Sequence, residues 1–203
     1  METKKRQAWV TKVKPEALQQ CVAEYRAHKE DLDAALQDAG VLQCRIYLEE
    51  VGGQPYLFQY NESGSGMAPP IQPPGGKWQE ARQVYEFKKH PGDEWKDLNS
   101  RGIIIGVKPG MLERYIELHD NQPEIIHDLC YQNGFRKSSI FVAGLSGNES
   151  HLLQFVDFKG EENPALYEDG TYREWLRVTG ECQQPLPGEA FWKEMQPVYT
   201  FKI

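Results

Sequence analysis

The chain has 203 residues, with 30 acidic and 23 basic side chains and a formal net charge of −7. Such an acidic chain lacks the clustered Lys and Arg that neutralise phosphates, so the composition argues against a nucleic-acid partner. No wholly apolar run is longer than that of residues 102–107, which is far shorter than the roughly 20 residues of a membrane-spanning helix. We therefore expect a globular protein without a membrane partner.

An internal repeat organises the chain. Residues 7–18 align with residues 101–112 at an offset of 94, and the tripeptide Val-Lys-Pro is identical in both. Near the other end, residues 84–88 (VYEFK) align with residues 198–202 (VYTFK) at an offset of 114. Agreement at the beginning and the end of both segments indicates two related domains, because a repeat sets the architecture of the whole chain.

The domain boundaries follow from this alignment. Residues 1–89 are predicted to form the first ferredoxin-like repeat, degenerate and without its second helix. Residues 90–100 are predicted to be a linker. Residues 101–203 are predicted to form the second ferredoxin-like repeat, which carries the candidate site.

The first repeat begins with a predicted strand at residues 9–13. Apolar side chains then follow at helical spacing as far as Gly40, and a glycine is typical of a helix C-cap. Two further strands are predicted at residues 45–48 and 56–60. Residues 63–76 are rich in Gly and Pro and cannot form a helix. The closing strand lies at the VYEFK segment.

The second repeat has the same order of elements and one more helix. A strand is predicted at residues 103–107, followed by a helical run that ends at Gly134. Strands are predicted at residues 139–142 and 152–158. Residues 163–179, which have a proline near their beginning, are predicted to form a second helix. The closing strand lies at the VYTFK segment.

This order of strands and helices is that of the ferredoxin-like unit. The helices cover one face of such a sheet, so the other face has to be buried against something. The fold class predicted is α+β, with tandem ferredoxin-like units that form an intramolecular dimeric α+β barrel. The chain would then be an internal pseudo-dimer, and further homo-oligomerisation stays open.

The second repeat carries a candidate catalytic pair. Tyr115 and His119 are four residues apart in the predicted helix and therefore lie on one face of it. A histidine can accept and donate protons near neutral pH, although such a pair can also be ordinary packing. The first repeat has Cys21 and Tyr25 at the equivalent positions. Only the second repeat is therefore predicted to have a chemically equipped cavity.

The cysteine spacing and the N-terminal sequence indicate the cellular compartment. No Cys-x-x-Cys pair of a zinc or redox site is present, and no apolar signal segment follows the basic N-terminus. We expect a cytoplasmic protein with reduced thiols and no metal site. The four scattered cysteines are Cys21, Cys44, Cys130 and Cys182.

Several residues of the second repeat occur at the spacing of a known family. In chain order they are Val107-Lys108-Pro109, Tyr115, His119, Gly134, residues 139–142, Trp175 in the second helix and residues 198–201. In this pattern the chain resembles the L-rhamnose mutarotases, which are small dimeric α+β barrel proteins. The resemblance covers the second repeat and only the framework of the first.

The resemblance implies an isomerase that interconverts the α and β anomers of L-rhamnose or a similar 6-deoxy sugar by acid/base ring opening. His119 and Tyr115 would be catalytic, and Trp175 would line the sugar site or else belong to the core. The partner would be a small-molecule sugar, with no cofactor and no metal.

Two other functions remain open from the sequence. One is a non-catalytic sugar-binding or structural barrel protein, since the first repeat has lost its catalytic pair. The other is a haem-binding or monooxygenase-type α+β barrel, because barrels of this class host several functions.

Overall fold

The computed structural model describes residues 5–64, 71, 76–87, 98–145, 149–161 and 163–203. These residues form an α+β fold that divides into two compact units. Unit 1 comprises Met1–Arg82 and Met195–Ile203, and unit 2 comprises Gln83–Glu194. The linker expected at residues 90–100 lies outside the described residues as far as residue 97. Most of the Gly- and Pro-rich residues 63–76 also lie outside them.

The strands and helices are numbered in chain order. The strands are β1 Lys5–Lys12, β2 Val41–Val51, β3 Gln54–Ser63, β4 Gln79–Glu86, β5 Leu98–Val107, β6 Phe135–Gly144, β7 Ser150–Lys159, β8 Gln183–Gln184, β9 Lys193–Glu194 and β10 Gln196–Lys202. The α-helices are α1 Leu18–Ala27, α2 Lys29–Asp38, α3 Leu112–Asp120, α4 Glu124–Gln132 and α5 Gly170–Gly180.

Unit 1 contains a sheet with the strand order β10-β2-β3-β1-β4. Its pairs are antiparallel, and β1 meets β4 only through the first residues of β4. The order β4-β1-β3-β2 is that of a ferredoxin-like unit. Tyr25 of α1 and Leu36 of α2 pack against Ile46 and Leu57 of the sheet in one apolar core.

Unit 2 repeats this order. Strand β7 pairs with β5 on one side and β6 on the other, and the short strands β8 and β9 both pair with β5. On the far side of β6 lie the last residues of β4, where the Phe87 amide donates to the Ser138 carbonyl at 2.8 Å. Each unit is therefore a ferredoxin-like sheet with one additional strand at its edge.

The closing strands divide between the units. Strand β4 begins in unit 1 and continues in unit 2 beyond Arg82, whereas the chain returns to unit 1 at Met195 just after β9. The sequence repeat assigns each closing strand to its own repeat. Unit 2 thus contains residues 83–87, and unit 1 contains residues 195–203.

The helical run of each repeat is two helices rather than the single one that the spacing predicts. In the second repeat Pro123, with φ −60° and ψ 139°, is the N-cap of α4. A proline has no amide hydrogen and clashes with the preceding turn, so it ends α3 and suits a new beginning. In the first repeat His28 lies between α1 and α2 with non-helical angles. The positive φ of Gly40, 71°, and of Gly134, 101°, confirms both predicted C-cap glycines.

The second helix predicted over residues 163–179 is a 3-10 turn, Pro164–Glu168, followed by α5. Asp169 caps α5, because its carboxylate accepts from the amides of Thr171 at 2.8 Å and Tyr172 at 2.9 Å. The cap fixes where α5 begins and hence which of its residues face the sheet. Among the described residues no helix combines the length and the apolar character needed to cross a membrane.

Candidate functional site

The candidate site lies in unit 2, where α3 and α5 cover the sheet. Tyr115 is 1% exposed and His119 is partly buried. Their ring centroids are 4.2 Å apart, so the structure brings the predicted pair together. Trp175 of α5 adds a third ring, 5.1 Å from that of His119 and at 69° to it. All three residues singled out from the sequence therefore line one cavity.

His119 has a defined tautomer in this arrangement. Its Nδ1 lies 3.0 Å from the backbone carbonyl of Tyr115, which can only accept a hydrogen bond. Nδ1 therefore carries the hydrogen, and Nε2 is left with a lone pair for a ligand. The helix itself supplies the bond, because the two residues are one turn apart.

Burial controls the charge of His119. Desolvation lowers the pKa of the imidazole from 6.5 to about 4, and the neighbouring His127 lowers it further. The Tyr115 carbonyl and Asp120 act in the opposite direction without cancelling this effect. The imidazole is thus neutral at physiological pH, and it titrates below the near-neutral range that the residue type alone predicts.

Tyr85 is a site residue that the sequence reasoning missed. It lies on β4, and its ring meets His119 edge to face with the centroids 4.9 Å apart. His127 stacks on the same tyrosine at 6.4 Å. The only signal in the sequence was the repeated VYEFK segment, which marks a closing strand but does not show which sheet receives it.

The hydroxyls of Tyr115 and Tyr85, two of the tyrosines that line the cavity, remain protonated. Burial raises the pKa of Tyr115 and of Tyr85 above the ordinary value of 10. The Gln183 side chain hydrogen-bonds to the Tyr115 hydroxyl, and the Gln122 side chain to that of Tyr85. Two neutral hydroxyls therefore lie beside a neutral imidazole.

The cavity has a volume of about 70 Å³. Besides His119 and the indoles, its polar lining contains amide and hydroxyl groups, and Gln154 Nε2 donates to Ser138 Oγ at 2.8 Å. The Gln122 Oε1 atom is buried and has no hydrogen-bond partner among the described residues. Among the residues that the structure describes, no Asp, Glu, Lys or Arg lines the cavity. The site offers hydrogen bonds without charge, which suits a neutral ligand rich in hydroxyl groups.

Unit 1 has no equivalent chemistry at the corresponding positions. Cys21 and Tyr25 are buried in the apolar core, and Tyr199 of β10 lies 6.3 Å from Tyr25 between ring centroids. The Tyr199 hydroxyl donates to Asp33 Oδ1 at 2.5 Å. His28, the nearest imidazole in sequence, is largely exposed. The described residues contain no group of three or more metal-ligating side chains.

Comparison with known proteins gives a family and a fold. Residues 101–201 match the family described as L-rhamnose mutarotase. No curated protein matches the chain. Among solved structures, a protein of Fusobacterium nucleatum provisionally assigned as a monooxygenase is similar, with 12% identity, a TM-score of 0.52 and coverage of 97% of this chain and 93% of that chain.

A second similar structure, from Lactobacillus acidophilus, carries the same provisional assignment. Its identity is 11% and its TM-score 0.51, over 97% of this chain and 96% of that chain. At these identities the likeness concerns the fold alone, because one fold hosts many activities.

Proposed function

Because residues 101–201 belong to the L-rhamnose mutarotase family, we propose that the chain interconverts the α and β anomers of L-rhamnose or a similar 6-deoxy sugar. The observation that carries this proposal is the uncharged cavity of unit 2, in which the free Nε2 of His119 lies among tyrosine hydroxyls and a tryptophan. The reaction is an isomerisation, and the chain needs no cofactor for it.

The lining supports a neutral sugar as the ligand. A pyranose presents hydroxyl groups at its edge and C–H groups on its faces. The Gln122 and Gln154 amides match the hydroxyl groups, and the indole of Trp175 offers an apolar surface to a C–H face. A charged ligand would have to leave water for a cavity without a counter-charge, which costs free energy.

The mechanism follows from the protonation states. His119 Nε2 accepts the proton of the anomeric hydroxyl while the bond between C1 and the ring oxygen breaks, and C1 becomes an aldehyde carbon. The ring oxygen takes a proton from a tyrosine hydroxyl, for which Tyr115 is the candidate. The C1–C2 bond rotates, the ring oxygen attacks the other face of the carbonyl, and both protons return.

The low basicity of His119 constrains the order of these steps. An imidazole with a pKa of about 4 is too weak a base to remove the proton from a sugar hydroxyl in a separate step. Proton removal therefore has to coincide with protonation of the ring oxygen. The buried Tyr115 hydroxyl, whose pKa is raised by burial, keeps its proton at neutral pH and can supply it only in the same step.

Anomer exchange measured by two-dimensional NMR tests the proposal. The parent should accelerate exchange of L-rhamnose or of another sugar in a panel that includes L-fucose, and a His119→Gln variant should not. If a sugar raises Tm but the parent does not change any exchange rate, the chain is a sugar-binding protein and the isomerase proposal is wrong.

A further inference from the structure

A second, larger depression lies on the other side of Trp175. It is a groove of about 660 Å³ between α3 and α5. The indole of Trp175 lines both this outer groove and the inner cavity that contains His119. The inner cavity, at about 70 Å³, is far below the roughly 300 to 1,000 Å³ of small-molecule sites. A pyranose therefore needs more room beside His119 than the inner cavity holds.

The Trp175 side chain is held less firmly than its backbone. Its carbonyl accepts from the Thr179 hydroxyl at 3.0 Å within the capped helix α5. Its indole N–H has no hydrogen bond to any described residue, whereas the N–H of Trp78 donates to the Ile71 carbonyl at 2.8 Å. Rotation of the indole would thus break no hydrogen bond and would not require the helix to move.

The outer groove is also suited to an uncharged ligand. Its lining includes apolar side chains, among them Leu118 and Val178. Its charged side chains are paired, since Arg114 contacts Glu117 at 2.7 Å and Glu174 contacts Arg177 at 2.8 Å. A sugar would meet an apolar wall edged by polar groups, as in the inner cavity.

We propose that the groove between α3 and α5 is an access subsite for the reducing monosaccharide, and that the Trp175 indole is the movable wall between this subsite and His119. The proposal rests on the proposed function for the identity of its occupant. A sugar bound in the groove displaces the indole, and the two spaces join into one site of the size that a pyranose needs.

A bulky group attached in the groove tests, without any sugar, whether His119 is reached through the groove. Thr171 lines the groove and is exposed, whereas Arg173, two residues further along α5, is exposed outside it. The native cysteines are all buried, so a bulky maleimide will label Thr171→Cys or the matched control Arg173→Cys at the introduced thiol. Diethyl pyrocarbonate then reports access to neutral His119, measured on the His119 peptide by mass spectrometry.

We expect the adduct at position 171 to slow His119 modification at least several-fold relative to the adduct at position 173. Trp175→Ala should speed it, with Trp175→Phe intermediate and circular dichroism checking that the variants are folded. Equal rates for the two adducts, or no acceleration in Trp175→Ala, would overturn the proposal.

Sugar kinetics distinguish this proposal from the proposed function. If the parent exchanges anomers, the adduct at position 171 should lower kcat/KM at least tenfold and the control adduct should not. If the parent exchanges no sugar but the two adducts differ in His119 modification, the route stands and the isomerase proposal fails.

Discussion

The rings of Tyr85 and His119 meet edge to face, with centroids 4.9 Å apart and planes at 72°. Tyr85 lies on β4, in the segment that the repeat assigns to the first half of the chain, and His119 lies on α3 in the second half. The cavity of unit 2 therefore contains a hydroxyl that its own repeat does not encode.

Loss of the imidazole should remove most of the catalysis. We expect His119→Ala to lower the catalysed exchange rate by about 10²- to 10⁴-fold, the usual contribution of general acid–base catalysis. His28→Ala is the matched control, because His28 is exposed and lies in unit 1. Exchange NMR at saturating sugar provides the rates. An unchanged rate in His119→Ala would show that another group moves the proton.

The pH dependence of the activity should reflect the buried environment of His119. Because burial lowers its pKa to about 4, the neutral base persists far below the ordinary histidine range. We expect kcat/KM to be constant from neutral pH down to about 5 and to fall only as pH approaches 4. A profile that loses half its activity near pH 6.5 would contradict the desolvated state of the imidazole.

Stability should depend on pH through the same group. The pKa of His119 is about 4 in the folded protein and near 6.5 when unfolded, so between these values the unfolded chain binds more protons. The free energy of unfolding is therefore not reduced by His119 above pH 6.5. It decreases as the pH falls towards 4, by up to about 3 kcal/mol. Urea unfolding at several pH values should show a shallower dependence in His119→Gln than in the parent.

The hydroxyl of Tyr85 should contribute to the reaction without being essential to the fold. Tyr85→Phe keeps the ring against His119 but removes one hydrogen-bonding group, and should lower kcat/KM by about 2- to 10-fold. Tyr199→Phe is the matched control, since Tyr199 is the repeat counterpart in unit 1. It loses a hydrogen bond to Asp33 and should lower the free energy of unfolding by about 1 kcal/mol with kcat/KM unchanged. A fall in kcat/KM for Tyr199→Phe as large as for Tyr85→Phe would contradict this assignment.

Tyr25 should be dispensable for both activity and stability. Its hydroxyl is buried and has no hydrogen-bond partner among the described residues, and a buried unsatisfied hydroxyl costs free energy. Tyr25→Phe should leave exchange nearly intact and should leave the free energy of unfolding unchanged or raise it by up to about 1 kcal/mol. Tyr115→Phe is the contrasting variant, because it removes a hydroxyl that is hydrogen-bonded to Gln183. A large loss of exchange in Tyr25→Phe would place catalytic chemistry in unit 1.

Local patterns were sufficient to predict most elements and the core of the site. Tyr115 and His119 are four residues apart, and this spacing alone brings them to one helix face. The α+β class and the ferredoxin-like order follow from the repeat in the same way, and Gly40 and Gly134 mark their helix ends. These features depend on residues close in sequence, whose geometry the helix or strand sets.

Features that depend on distant pairing were not accessible in this way. The VYEFK motif predicts a strand, but the pairing of its described residues 84–87 with β6 rather than β1 is a tertiary choice. Tyr85 was therefore not recognised as a site residue. The protonation state of His119 is similar, because its pKa depends on how completely α5 and β4 exclude water. The division of the helical run into α3 and α4 had a local signal at Pro123, since an internal proline disfavours a continuous helix.

The exchange of closing strands makes the two halves of the chain inseparable. Two peptides produced by cutting in the linker would each lack a strand that its own sheet requires, and the second peptide would also lack Tyr85 and Phe87. The first half, which has no histidine at the position equivalent to His119, therefore still supplies residues that unit 2 requires. Because unit 2 contains residues 83–87 of the first repeat, we expect those residues to be retained even though Cys21 and Tyr25 stand where the second repeat has Tyr115 and His119.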